Sequence, residues 1–236
     1  MIVRNETNSD IEAITKVTIA AFRHHPIGNH TEQFIISALR DANALTISLV
    51  AEIEGQVVGH VAFSPVTISD GSLNWYGLGP VSVLPEYQKQ GIGKSLIREG
   101  LSLLKALGGK GCVLVGDPGY YEGFGFRNVS ELIHPGVPQE VFLAMPFDTQ
   151  VAHGSVVFHE GFSANSSQPA GGFGGKLSVV KSLLLIAGRC PSVFMWCNIP
   201  ANAGLCLCDG AARVFLFHPE SVESVSSRAN NPHGAP

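Results

Sequence analysis

The sequence predicts an α+β or mixed α/β domain over residues 1–164, followed by an extension over residues 165–236. Two observations favour this division. Short strands and amphipathic helices follow one another in the first part, whereas the apolar segments of the extension show no clear period. Residues 1–164 also hold 10 Lys and Arg against 16 Asp and Glu, whereas residues 165–236 hold 5 against 3. The Gly- and Ser-rich residues 165–175 are typical of a linker between the two parts.

Hydrophobic periodicity justifies each element of the domain in turn. The elements, in chain order, are a strand at 2–4, a helix from about 10 to Pro26, a helix at 31–40, strands at 47–53, 57–63 and 73–84, a helix through Leu107, a strand at 111–116, a short helix or turn at 118–123 and a strand at 141–145. We expect Asn8 or Ser9 to cap the first helix. We expect Glu54-Gly55 to form a tight hairpin, with Gly55 at positive φ.

The composition excludes several classes of protein. With 45% hydrophobic and 14% charged residues, the chain differs from disordered and coiled-coil proteins. Its formal net charge of −4 and its scattered Lys and Arg predict no nucleic-acid partner. No stretch reaches the roughly eighteen apolar residues of a spanning helix, and the first residues lack the apolar core of a signal peptide. We therefore expect a cytoplasmic protein with no membrane partner.

The cysteines predict neither a disulfide framework nor a metal site. Cys112 lies in an apolar run and is expected to be a buried small hydrophobe. The cysteines of the extension, with His218, have spacings that match no common zinc pattern; they are Cys190, Cys197, Cys206 and Cys208.

The most informative stretch is the glycine loop over residues 88–95, which lies between a predicted strand and a predicted helix. Gly91 and Gly93 allow close approach of a ligand to the backbone. The helix that follows presents free N–H groups and a positive dipole end, which suit a phosphate or diphosphate. A tight strand-to-helix turn without ligand is the alternative. A nucleotide-triphosphatase loop is disfavoured because Gln88 stands where that motif requires its first glycine.

Two motifs carry a resemblance to a known family. The run Gln-x-x-Gly-x-Gly at residues 88–93 resembles the acetyl-CoA loop of the GNAT superfamily of N-acetyltransferases. Residues 120–126 resemble the family's Tyr-x-x-x-Gly-Phe segment. Residues 117–126 resemble a sequence motif of a subgroup of predicted bacterial acetyltransferases. The order of elements from Ile2 to about Met145 is also similar. The resemblance implies a mixed, mostly antiparallel twisted sheet flanked by helices.

The resemblance also implies a cofactor site, a reaction and a proton donor. The cosubstrate would be acetyl-CoA, with Tyr121 protonating the departing thiolate after direct attack by a primary amine of a small molecule or peptide. Tyr121 stands four residues before Gly125, as the motif requires, whereas Tyr120 does not; packing of both tyrosines in the core is the alternative. The residues implied to bind the cofactor are Val81, Ser82, Val83, Gln88, Lys89, Gln90, Gly91, Ile92, Gly93, Lys94 and Ser95.

Several points stay open at the level of the sequence. Residues 75–79 contain no carboxylate where many family members carry a glutamate, so no base is assigned; the candidates are Glu52, Glu54, His60, Asp70 and Glu86. Asp117 is expected to cap a helix that begins at Pro118. A non-catalytic acyl-CoA-binding regulatory module is the alternative function, and an interaction protein that recruits a partner through the extension is a third. Homodimerisation is left open.

The extension has three interpretations. It is an appended element that packs on the domain, half of a partner interface, or a readthrough or frameshifted product without a selected fold. The absence of periodicity favours the last.

Overall fold

The computed structural model describes residues 1–23, 31–149 and 151–166, together with the backbone of two strands at Ala203–Cys208 and Ala211–Leu216. The chain divides into two units, Met1–Ile199 and Pro200–Pro236. The second unit contains the last two strands, which pair antiparallel. His24-His25-Pro26, the side chains of the C-terminal cysteines and most of the extension lie outside the described residues. The domain boundary at residue 164 stays a prediction.

The first unit contains eight strands and four α-helices within its described residues. The strands are β1 (Ile2–Asn5), β2 (Ile47–Ile53), β3 (Gln56–Ile68), β4 (Trp75–Val83), β5 (Gly111–Val115), β6 (Leu132–Ile133), β7 (Phe142–Pro146) and β8 (Gly154–Phe158). The helices are α1 (Ile11–Phe22), α2 (Glu32–Asp41), α3 (Ile92–Ala106) and α4 (Pro118–Tyr121).

The main sheet has the strand order β1-β2-β3-β4-β5-β7. Neighbours pair antiparallel except β4 and β5, which are parallel. The far end of β3 pairs with β8, which in turn pairs parallel with β6. This arrangement confirms the expected mixed, mostly antiparallel sheet flanked by helices.

The two central strands diverge, and this divergence positions the site. The pairing of β4 with β5 covers residues 75–77 and 111–113, although β4 runs on to Val83 beside β3 and β5 runs on to Val115 beside β7. A wedge therefore opens between β4 and β5 beyond their paired residues. The loop after β4 and the start of α3 lie at this end of β4.

Close packing holds α3 on the sheet. A Cβ on Gly100 of α3 would collide with the ring of Phe63 on β3, so the helix needs glycine to approach the strand at this distance. A Cβ on Gly59 would lie 3.1 Å from side-chain atoms of both Ile92 and Leu96. Gly59 therefore faces α3, and His60, the next residue of β3, points to the opposite face of the sheet.

Most of the predicted elements are confirmed, with two corrections. The residue that precedes the first helical turn is Thr7, so the expected cap at Asn8 or Ser9 was wrong. The Asp10 carboxylate accepts hydrogen bonds from the Thr7 N–H (2.7 Å) and hydroxyl (2.8 Å), which satisfies the start of the turn. Strand β3 also runs five residues beyond the predicted end at Phe63, where it pairs with β8, an element that was not predicted.

Candidate active site

A cavity of about 560 Å³ lies where β4 ends and α3 begins. Its wall is formed by the end of β4, the glycine loop, the first turn of α3 and one tyrosine of α4. The lining residues are Val81, Val83, Tyr87, Gln88, Lys89, Gln90, Gly91, Ile92, Gly93, Lys94 and Tyr120. The structure thus brings together all the predicted cofactor-binding residues except Ser82 and Ser95. The buried hydroxyl of Ser82 lies 3.2 Å from that of Thr18 on α1, on the face of the sheet away from α3.

Hydrogen bonds within the glycine loop fix its path. The Gln88 side chain donates to the carbonyl oxygen of Val83 (3.0 Å), which ties the loop to the end of β4. The Gln88 N–H donates to the carbonyl of Pro85 (3.3 Å). Lys89 and Gly91 both adopt positive φ, at 62° and 86°. Gln88 therefore shapes the loop and does not offer a free main-chain donor.

The first turn of α3 provides the N–H groups that the sequence predicted. Its first intrahelical bond runs from the Ser95 N–H to the carbonyl of Gly91 (3.0 Å). The N–H groups of Ile92, Gly93 and Lys94 precede that bond, and helix geometry gives them no intrahelical acceptor. The first turn contains no acidic residue. Backbone donors, the helix dipole and nearby lysines make this end of the cavity suitable for an anion.

The tyrosine pair sits on α4, whose start is fixed as expected. Asp117 caps the helix, because its Oδ1 accepts a hydrogen bond from the Gly119 N–H (2.9 Å). Tyr120 is half-buried and lines the cavity. Its hydroxyl lies 3.2 Å from the position that a Cβ on Gly93 would take.

Tyr121 is only 2% exposed and is absent from the cavity lining. Its ring packs edge-on against Tyr120 (centroids 5.1 Å apart) and Phe126 (5.9 Å), and it would collide with a Cβ on Gly116. Burial raises the pKa of both phenols above the ordinary value of 10. The two tyrosines therefore differ in environment, and the role of Tyr121 as an acid stays a prediction.

Most of the candidate bases named from the sequence either accept hydrogen bonds from other residues or lie in turns. Glu52 accepts a hydrogen bond from Arg4, with Nε to Oε2 at 2.9 Å. Asp70 accepts from Ser72 and from the His153 N–H. Glu54 is in the β2–β3 hairpin, and Glu86 is exposed in the turn after β4. As the sequence indicates, β4 carries no carboxylate.

The remaining candidate, His60, belongs to a partly buried network of four side chains that we call the Glu6 cluster: Glu6, Arg40, Ser48 and His60. The Arg40 guanidinium donates twice to Glu6, with both distances 2.9 Å. The Ser48 hydroxyl donates its single proton to Glu6 (2.5 Å) and lies 2.8 Å from His60 Nε2. His60 must then donate from Nε2, so the neutral ring carries its proton on that nitrogen.

The electrostatics of the Glu6 cluster follow from its burial and its partners. Burial alone would raise the pKa of Glu6, but contacts with His60, Arg40 and Ser48 outweigh it and hold the pKa at about 2. His60 is 0% exposed, and burial lowers its pKa below the ordinary 6.5 despite the nearby Glu6. Sequence reasoning singled out His60 but missed its three partners.

Comparison with known proteins places this geometry in a family. A family model described as "Acetyltransferase (GNAT) domain" matches residues 45–128, which include the glycine loop and both tyrosines. YhbS of Escherichia coli K12, named an uncharacterized N-acetyltransferase, is 37% identical over 128 residues, which are 54% of this chain and 74% of YhbS. The chain belongs to the GNAT family of acetyltransferases.

Solved structures of GNAT proteins agree with the fold of this acetyltransferase. A GNAT acetyltransferase from Brucella melitensis, solved in complex with acetyl-CoA, is 48% identical with a TM-score of 0.62, and the match covers 68% of this chain and 97% of that one. Escherichia coli YhbS, solved in complex with CoA, is 31% identical with a TM-score of 0.62, and the match covers 69% of this chain and 92% of that one. Among the described residues of the acetyltransferase, no helix has both the length and the apolar character needed to cross a membrane.

Proposed function

We propose that the protein transfers the acetyl group of acetyl-CoA to a primary amine of a small molecule or peptide. The observation that carries this proposal is the cavity at the end of β4, which extends from a helix start suited to an anion to Tyr120, the neighbour of the buried Tyr121. Its volume of about 560 Å³ lies within the usual range for a ligand pocket. Relatives solved with acetyl-CoA or CoA support the choice of cosubstrate.

The cavity suggests how the cosubstrate lies. The diphosphate binds at the start of α3, where the N–H groups of residues 92–94 and the side chains of Lys89 and Lys94 favour negative charge. The pantetheine arm follows β4 along Val81 and Val83, because β4 has no β5 neighbour to pair with beyond residue 77. The thioester then lies within the wedge between the two strands.

The reaction proceeds by direct attack. The amine nitrogen bonds to the thioester carbonyl carbon, the carbon–sulfur bond breaks, and the sulfur leaves as the thiolate of CoA. Tyr121 gives its phenolic proton to that thiolate, and the proton lost by the amine restores the phenol through water. The position of Tyr121 four residues before Gly125 supports this role, whereas the cavity contact of Tyr120 makes Tyr120 the competing donor.

The described core also favours transfer without a covalent intermediate. Cys112 is 0% exposed, and burial raises the pKa of its thiol well above the ordinary value of 9. A buried, protonated thiol is a poor nucleophile. We therefore do not expect Cys112 to form an acetyl-enzyme intermediate.

The test is release of free thiol from acetyl-CoA by the full-length protein in the presence of polyamines, aminoglycosides, amino acids and peptides. The proposal predicts that at least one amine accelerates release in proportion to enzyme, with one acetylated amine formed for each thiol. Initial rates should give the intersecting double-reciprocal lines of a sequential mechanism. Binding of CoA without acceleration by any amine would instead support the regulatory module.

A further inference from the structure

Tyr120 touches the cavity at the start of α3. Its hydroxyl is 3.2 Å from where a Cβ on Gly93 would stand, and Gly93 is the second residue of that helix. The unbonded N–H groups of the first turn belong to residues 92–94. The hydroxyl thus lies against the segment of backbone that presents these donors.

The position of this hydroxyl is fixed by packing. The Tyr120 ring contacts Tyr121 edge-on at 5.1 Å and Phe124 at 5.5 Å between centroids. The helix that carries it is anchored by the Asp117 cap. A donor held this way loses little side-chain entropy when a ligand binds. Because burial raises the pKa of Tyr120, the phenol keeps its proton at neutral pH.

We propose that Tyr120 is a binding residue for the diphosphate of acetyl-CoA, and that its hydroxyl donates a hydrogen bond to a phosphate oxygen held at the start of α3. This inference rests on the proposed placement of the cosubstrate. It also separates the two tyrosines by role, since Tyr120 serves the diphosphate end and Tyr121 serves the thioester. Gly93 leaves room for this hydroxyl, because a methyl group there would lie 3.2 Å from it and would press on it.

The test compares two donors with the full-length enzyme: acetyl-CoA, and S-acetylpantetheine, which lacks the diphosphate and the nucleotide. A hydrogen bond to a charged group predicts that Tyr120→Phe raises the KM for acetyl-CoA about tenfold. The same substitution should change the KM for S-acetylpantetheine little. An equal rise for both donors, or no rise for either, would overturn the inference.

A second substitution tests the same contact, so that the conclusion does not depend on the correct folding of one variant alone. Gly93→Ala should weaken acetyl-CoA binding in the wild-type background and do so less in the Tyr120→Phe background, because the hydroxyl that the methyl meets is then gone. Equal losses in both backgrounds would contradict the contact.

Gly91→Ala tests the proposed placement of the diphosphate itself. If it leaves the KM for acetyl-CoA unchanged, the proposed diphosphate site is wrong; if it raises that KM while Tyr120→Phe does not, only the role of Tyr120 is wrong.

Discussion

The cavity wall and the Glu6 cluster both contain hydrogen-bonding groups, but these groups direct their hydrogen bonds to different places. In the Glu6 cluster, Arg40, Ser48 and His60 direct their donors to one another or to Glu6. In the cavity wall, the first N–H groups of α3 have no acceptor within their helix, and two glycines keep the backbone open to a ligand.

This difference indicates that polar groups on one face of the sheet stabilise the fold, whereas the helix start on the α3 side is suited to ligand binding. His60 points away from α3, whereas the glycine loop leads into α3. When buried polar groups form their hydrogen bonds with one another, removing one of them leaves its partners unsatisfied and destabilises the fold. Backbone N–H groups at a helix start cost little free energy while water hydrates them, and their hydrogen bonds stabilise an anion that binds there. We therefore expect substitutions in the Glu6 cluster to change stability, and substitutions in the cavity wall to change ligand binding.

The largest effect on stability is expected from Arg40→Met. Glu6 is 17% exposed on its side chain and would lose its only salt-bridge cation among the described lysines and arginines. Removing one partner of a buried pair costs about 3 kcal/mol or more of unfolding free energy, so for this partly buried pair we expect a loss of up to about 3 kcal/mol. Denaturant titration measures this loss, while the affinity of the folded protein for CoA should stay unchanged.

The matched control for Arg40→Met is Lys16→Met, which removes the same charge from an exposed pair with Glu12 on α1. Exposed pairs contribute little, so the loss should be much smaller. Equal losses for the two variants would remove the distinction between the cluster and an ordinary surface pair.

A somewhat smaller effect is expected from pH. Glu6 has a pKa of about 2 in the folded protein against an ordinary 4.5, so its contribution to stability is complete above pH 4.5 and is lost as the pH falls towards 2. The loss should be about 2 to 3 kcal/mol. His60 adds to it at higher pH, because its lowered pKa means that stability begins to fall below pH 6.5. Unfolding free energies measured across this range should show a shallower slope below pH 4.5 for Glu6→Gln; an unchanged slope would contradict the account.

The smallest effect on stability, but a clear effect on binding, is expected from Gly91→Ala. Both Gly91 and Gly55 have positive φ (86° and 80°), and neither has an atom within 4 Å of an added Cβ. Alanine at either position should cost about 1 kcal/mol through backbone strain. Only Gly91→Ala should also weaken CoA binding. A comparable strain in the CoA-bound loop would lower the affinity for CoA about tenfold. Calorimetric titration of both variants with CoA checks this, and an equal loss of affinity in Gly55→Ala would argue against a local role for the loop.

Local signals in the sequence predicted much of the fold and of the cavity wall. Glycines with positive φ at the hairpin and the loop, and Asp117 followed by proline, each act within a few residues, so the pattern itself indicates the structure. The sequence did not predict β8, whose five residues gain their structure by pairing with the distant end of β3. It also missed the Glu6 cluster, since residues 6, 40, 48 and 60 meet only through the tertiary fold.

The environments of the two tyrosines show the same limit at the site itself. Successive residues of a helix point about 100° apart, so one of two adjacent tyrosines on α4 faces the cavity while its neighbour packs into the core. The motif fixes the spacing of Tyr121 from Gly125 but not the rotation of α4 against the sheet. That rotation depends on Gly116 and Phe126, which pack on Tyr121.

The most direct test of the proposed active site is a parallel measurement of kcat and CoA affinity for Tyr121→Phe and Tyr120→Phe with an accepted amine. Loss of a general acid predicts that Tyr121→Phe lowers kcat at least about a hundredfold, with the affinity for CoA retained. Tyr120→Phe should weaken CoA binding and keep most of kcat. The opposite pattern, with kcat lost in Tyr120→Phe and retained in Tyr121→Phe, would make Tyr120 the proton donor and contradict the roles assigned to both tyrosines.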